Sequence, residues 1–222
     1  MKHLTVSRAS IASLVAIVLC TLGVNIAEAC PVAPTGLNDG DLYRLVFVTS
    51  GVRNAESTDI ADYNTFVSDA ANAIPELAEL GTQWFAIAST ATVDARDNTD
   101  SVPPGDVPVY LLDGTMIAGS YNDLWDWSIA VPLNISELCE TVDSNLNIWT
   151  GTGGFGTADQ PIGAASPTIG SGAGTIDQVW IRFGVTASSA NHRFYAMSGI
   201  LTFSTTPIEG TTWGNVKALY HE

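Results

Sequence analysis

Leu42-Tyr43-Arg44-Leu45-Val46-Phe47-Val48-Thr49 stands between Gly40 and Gly51, and from Thr58 the pattern changes to Ile60, Tyr63, Phe66, Val67, Ala70 and Ile74. The first run is short, apolar and rich in Val and aromatics, which predicts a largely buried strand. The second set recurs at helical spacing behind Thr58 as N-cap, with Asp59 and Asp62 in a first turn where the helix dipole favours carboxylates. Pro75 stops this helix, because the residue before a proline is driven out of the α region. An amphipathic helix beside a strand buries its stripe on that strand, so the stripe reads as core.

Downstream, Trp84-Phe85-Ala86-Ile87-Ala88 predicts a second strand and Val107-Pro108-Val109-Tyr110-Leu111-Leu112 a third, closed by an Asp113-Gly114 turn. A polar loop, Val93 to Asp106, lies between them. Tyr121 to Trp127 reads as a short helical turn or loop, and Asn147-Ile148-Trp149-Thr150 as a strand running into a Gly-rich surface loop, Gly151 to Gly174. Val179 to Val185 and Arg193 to Phe203 finish as strands, the former with Val179, Ile181, Phe183 and Val185 on one face. Strands outnumber helices and the one strong helix comes early. This argues for a single α+β domain over residues 30–205: one main helix on a mostly antiparallel twisted sheet, with long loops in the second half. Beyond it, Pro207 to Gly210 reads as a linker to 211–222, where Trp213, Val216, Leu219 and Tyr220 share one helix face. That segment either docks on the body or serves as a terminal recognition tag.

Upstream, Lys2, His3 and Arg8 precede an apolar stretch from Ile11 to Val24 and a small-x-small site, Ala27-Glu28-Ala29. This reads as a secretory signal peptide over 1–29, cleaved after Ala29, and the run is shorter than the ~20 residues a bilayer span needs. The expected location is extracellular or periplasmic, secreted or in the cell envelope, with no membrane span in the mature chain. Cys20 leaves with the leader, so Cys30 and Cys139 remain as an even pair. In an exported protein this favours a disulfide over acylation of Cys30, for which the preceding residues lack a lipobox. The chain carries 23 acidic and 8 basic residues, a net charge of -15, and a pI near 4.2. Nucleic acid is excluded as a partner, since phosphate binding needs clustered Lys and Arg.

Catalytic motifs are scarce. Two histidines remain after the leader, His192 and His221, and no Gly-x-Ser-x-Gly elbow occurs. His192, beside Arg193, reads as an exposed loop residue rather than part of a triad. Gly151-Thr152-Gly153-Gly154-Phe155-Gly156 satisfies G-x-G-x-x-G, with Asp177 at the distance of a ribose-binding acid, but the residues after it do not open a helix that could hold a pyrophosphate. Acidic loops suit calcium, and the densest cluster is Asp94, Asp97, Asn98 and Asp100, although it departs from EF-hand spacing. Tyr121 and Trp127 suit stacking on sugar rings, with Asn122, Asp123 and Asp126 to bond hydroxyls. Trp125 and Trp149 read as core.

The order of these segments, Leu45-Val46-Phe47, Ala61-Asp62-Tyr63, Phe85 to Thr90, Val107 to Gly114, Asp123-Leu124-Trp125-Asp126 and Ile148 to Gly151, resembles the endostatin-like branch of the C-type-lectin-like fold. It is similar also to exported bacterial modules of uncharacterised function found in PEP-CTERM-sorted proteins. The resemblance covers about residues 42–203. The internal cysteines, zinc-binding histidines and basic surface of endostatin-like domains are absent, so zinc and heparin binding are not implied; nor is there a PEP-type tail. What it implies is a secreted, non-catalytic binding module of a bacterial envelope or matrix that takes a glycan or protein partner through loops between Asp113 and Gly174. The rival readings are a calcium-dependent structural component of a surface assembly, self-associating through 211–222, and, third, a glycoside hydrolase built on two of the many carboxylates.

Overall fold

The computed structural model describes residues 34–99, 106–143, 146–171 and 176–205. Leader, Cys30, Asp100 and the segment 211–222 fall outside these residues. The protein is α+β, with few helices and a large, mostly antiparallel sheet.

The sheet is organised around β1 (Leu42–Val48), whose residues from Leu45 on are fully buried. On one edge β1 takes β3 (Val109–Leu111) in parallel, and β3 turns at Asp113-Gly114 into antiparallel β4 (Met116–Ala118). Gly114 supplies the positive φ, 83°, and Asp113 Oδ1 accepts from Thr115 N–H. On its other edge β1 pairs with β8 (Arg193–Ser198) and β9 (Leu201–Thr202). The predicted single strand 193–203 is therefore interrupted at Gly199-Ile200. The break has a cause: Ser198 Oγ takes the N–H of Leu45, and Ser198 C=O faces the buried guanidinium of Arg44, so the ladder cannot run through.

The far edge of β8 is shared between β2 (Trp84–Ala86), antiparallel, and β5 (Asn147–Trp149), parallel. From β5 the sheet continues through β6 (Thr168–Ser171) to β7 (Gly184–Val185), so its ends are β4 and β7.

Helix α1 (Ile60–Asn72) packs over β2 and β8. Its cap is Asp59, which accepts from Ala61 N–H, and not Thr58; such a cap contributes about 1 kcal/mol. Ile74, just before Pro75, is extended (φ -103°, ψ 116°), so α1 stops where the proline was expected to stop it, and Pro75 then opens a further turn, α2 (Pro75–Ala78), where the first-turn position does not need its missing N–H. Polar residues of α1 also cover the free edge of β2. Ala86 N–H donates to Asn64 Oδ1 and Ser68 Oγ donates to Trp84 C=O, so these two rungs are not left to recruit another strand. Below them Tyr63 and Phe66 meet Phe194, and Phe47 packs edge-on to Trp84 with ring centres 5.0 Å apart.

The stretch 178–185 is not one alternating strand. Gln178–Trp180 forms a 3₁₀ turn capped by Asp177, the acid that a nucleotide reading would have put on a ribose, and only Gly184–Val185 is strand. Ile181 is fully buried while Phe183 and Val185 are exposed. A two-residue period cannot survive a helical turn at its start.

Candidate functional site

The expected sugar-binding set, Tyr121, Asn122, Asp123, Asp126 and Trp127, is split by the fold. Asp123–Trp125 is a 3₁₀ turn, and Tyr121 belongs to the core, 2% exposed. Its hydroxyl meets Thr99 Oγ1 and Arg96 C=O, and its ring lies under the Arg44 guanidinium. Trp125 is buried between Tyr121 and Trp180, as expected of a core anchor. The polar members are exposed but engaged locally. Arg96 donates to Asn122 Oδ1, Gly119 N–H to Asp123 Oδ2, and Ser128 N–H and Oγ to Asp126 Oδ1. Asp106 accepts from Asn122 N–H, which with the Ser120 hydroxyl holds its carboxyl below the usual range. Trp127, at φ 78°, is half-buried edge-on to the exposed ring of Phe155.

The Gly-rich segment is packed rather than loose. A Cβ on Gly154 would lie 2.0 Å from the Trp127 indole, and one on Gly156 2.8 Å from Trp125. These glycines are where two tryptophans press on the backbone, which is why a nucleotide-like glycine spacing arises here without a phosphate site.

Of the residues expected to hold calcium, Asp100 lies outside the described residues, and Asp94, Asp97 and Asn98 have different surroundings. Asp94–Asp106 contains a short helix, α3 (Ala95–Thr99), that turns Asn98 inward. Its amide exchanges hydrogen bonds with the Asn64 side chain and donates to Ala86 C=O, while Asp94 Oδ1 accepts from Ala158 N–H and Asp97 faces solvent. With three hydrogen bonds to Asn64 and Ala86, the Asn98 carboxamide is turned away from the surface where an ion would sit. Among the described residues no group of three or more His, Cys, Asp or Glu is arranged to hold a metal.

Two features escaped the sequence reading. Glu137 is buried and accepts from Ser50 N–H at 2.7 Å and from Ser50 Oγ, fastening the Ile135–Cys139 turn to the end of β1. His192 is half-buried rather than exposed, its ring 4.8 Å from that of Trp149, whose Nε1 donates to Arg53 C=O. His192 Nε2 has no hydrogen-bond partner among the described residues, and burial lowers its pKa below 6.5. The fold thus favours the neutral ring. The stability this supports is complete above about pH 6.5 and declines as pH falls below it, because the unfolded chain takes the proton more readily. The unfolding midpoint should drop between about pH 7 and pH 5, and drop less in His192→Gln. Equal declines in both proteins would exclude His192 as the cause.

The site that remains lies at the β7 end of the sheet. The loop between β5 and β6 brings Asp159, Gln160 and Ser166 against Arg182, Phe183 and Val185, enclosing a cleft of about 280 Å³. Arg182 Nε donates to Asp159 Oδ2 at 2.8 Å, and Thr168 Oγ1 donates to the same oxygen. Phe183 and Val185 are 60% and 56% exposed. In sequence Asp159, Gln160 and Ser166 fall within the Gly-rich loop 151–174, and Arg182, Phe183 and Val185 within the strand expected over 179–185. Among the described residues no helix is long and apolar enough to cross a membrane. Compared with known proteins, the chain matches no family model and no curated protein.

Proposed function

We propose that this protein is a secreted, non-catalytic binding module of a bacterial envelope or extracellular matrix, with a C-type-lectin-like architecture. Its partner, a glycan or another protein, is held by the loops of the second half. The observation that carries this reading is the cleft between the 159–166 loop and β7, which sets two large apolar side chains beside an ordered Arg–Asp pair at a sheet end. Concave sites combining apolar walls with a few fixed polar groups are the usual form of ligand sites. The finer architecture is supported by the element order and by the pairing of the first strand with the last two.

Export would also explain the cysteines. An oxidising compartment favours pairing Cys139 with Cys30, which would tie the mature N-terminus to the body. The test is binding of the exported protein to immobilised polysaccharides and envelope proteins, with Arg182→Ala as the comparison. Retention that falls about tenfold or more in Arg182→Ala is expected for a cleft that carries the function. Retention unchanged by this and every other loop substitution would refute the reading.

A further inference from the structure

Among the described residues nothing in the packing or backbone of Gly184 requires a glycine. A Cβ there would meet no atom of these residues within 4 Å, its φ is not positive, and it occupies a strand position, where glycine is disfavoured. By contrast Gly170, paired one strand away, is required by backbone contact. A glycine that neither packing nor backbone conformation demands leaves space for something else, and this one lines the cleft between exposed Phe183 and Val185.

We infer that the space over Gly184 receives the ring of a neutral, hydroxylated sugar, with Phe183 as its apolar platform and Arg182, Asp159, Gln160 and Ser166 bonding its hydroxyls. This rests on the reading of the chain as a binding module. A hydroxyl is both donor and acceptor, and the cleft presents both. Nε of Arg182 is engaged by Asp159, which orients the guanidinium, and its other nitrogens make no hydrogen bond among the described residues. Oδ1 of Asp159 and the side chains of Gln160 and Ser166 are equally uncommitted among those residues. The sugar's C–H face suits an aromatic ring. An anionic ligand is disfavoured, since Asp159 already neutralises Arg182 and the chain carries a net charge of -15. An extended peptide is disfavoured because β7 offers two residues, too few for an added strand.

The exported protein is titrated calorimetrically with neutral gluco-, galacto- and manno-tetrasaccharides, with an oligogalacturonate, and with a library of extended decapeptides. A neutral saccharide is expected to bind, with affinity about tenfold or more lower in Gly184→Trp, which fills the cleft, and in Phe183→Ala. Because position 184 opens to solvent, Gly184→Trp should keep the unfolding midpoint of the parent; should it unfold, Phe183→Ala decides alone. Saccharide binding indifferent to both substitutions overturns the inference and leaves the binding-module reading intact. So does preference for the uronate or for a peptide. Failure of the parent protein to bind any saccharide overturns the inference, and the binding-module reading falls with it only if immobilised polysaccharides and envelope proteins are not retained either.

Discussion

Gly170→Ala is expected to lower the unfolding midpoint by roughly 10 °C, while Gly184→Ala on the neighbouring strand leaves it unchanged or slightly raised. The chemical change is the same and the surroundings are opposite. A Cβ on Gly170 would stand 2.1 Å from the carbonyl oxygen and 2.9 Å from the carbonyl carbon of Trp180. Neither atom can yield cheaply. Trp180 C=O also accepts from Tyr195 Oη, the next carbonyl, Ile181, accepts from Thr150 Oγ1 at 2.7 Å, and Phe183 N–H donates to Ile169 C=O. The turn at Gln178–Trp180 is thus fastened on both sides of the contact. Overpacking typically costs 1–3 kcal/mol, and a backbone overlap this deep should cost about 3–4 kcal/mol. At Gly184 the added methyl meets open space, and the reduced freedom of the unfolded chain is worth about 0.4–1 kcal/mol in favour of the variant. Melting curves of the two variants side by side suffice. A Gly170→Ala protein melting with the parent would mean that β6 and the 3₁₀ turn are not in contact as described.

Arg44→Ala should destabilise the protein by about 4 kcal/mol, and Arg44→Lys should not rescue it. Arg44 is 1% exposed although it lies in the central strand. Its Nη1 donates to Thr99 C=O at 2.6 Å and to Ser198 C=O at 3.2 Å, and its guanidinium lies 5.0 Å above the Tyr121 ring. The side chain therefore joins the end of α3, the break between β8 and β9, and the turn that carries Trp125. Truncation leaves buried carbonyls without a donor and opens a cavity the length of an arginine. Lysine brings charge but not a planar fork that can address several partners at fixed angles while stacking on a ring. In urea both variants should unfold at a lower midpoint with an unchanged slope, the mark of lost native stability. Full rescue by lysine would show that the site needs only a positive charge.

Arg44 also marks the limit of pattern reading. Its place in the apolar run 42–49 was enough to predict the strand, since the six other positions of β1 are hydrophobic and β-prone. Nothing in that run told where the guanidinium would go, because its acceptors stand 55 and 154 residues away. The same holds for Asn98, Tyr121 and Glu137. Asn98 and Tyr121 read as loop or turn residues and Glu137 carried no signal, yet each is buried by partners from another part of the chain. The cleft was hidden for the same reason: residues 159–166 and 182–185 meet only because β6 pairs with β7.

The sequence by itself determined the α+β class, the central strand, the amphipathic helix, the hairpin turn at Asp113-Gly114, and the burial of Trp125 and Trp149. These depend on periodicity, turn chemistry and side-chain size, which act between near neighbours. It determined too the acidic composition, with a net charge of -15. The tertiary structure alone decided what each glycine and each polar loop residue is for. A glycine in sequence reads equally as freedom, as close approach or as vacant space, and only the atoms that come to surround Gly154, Gly170 and Gly184 distinguish the three.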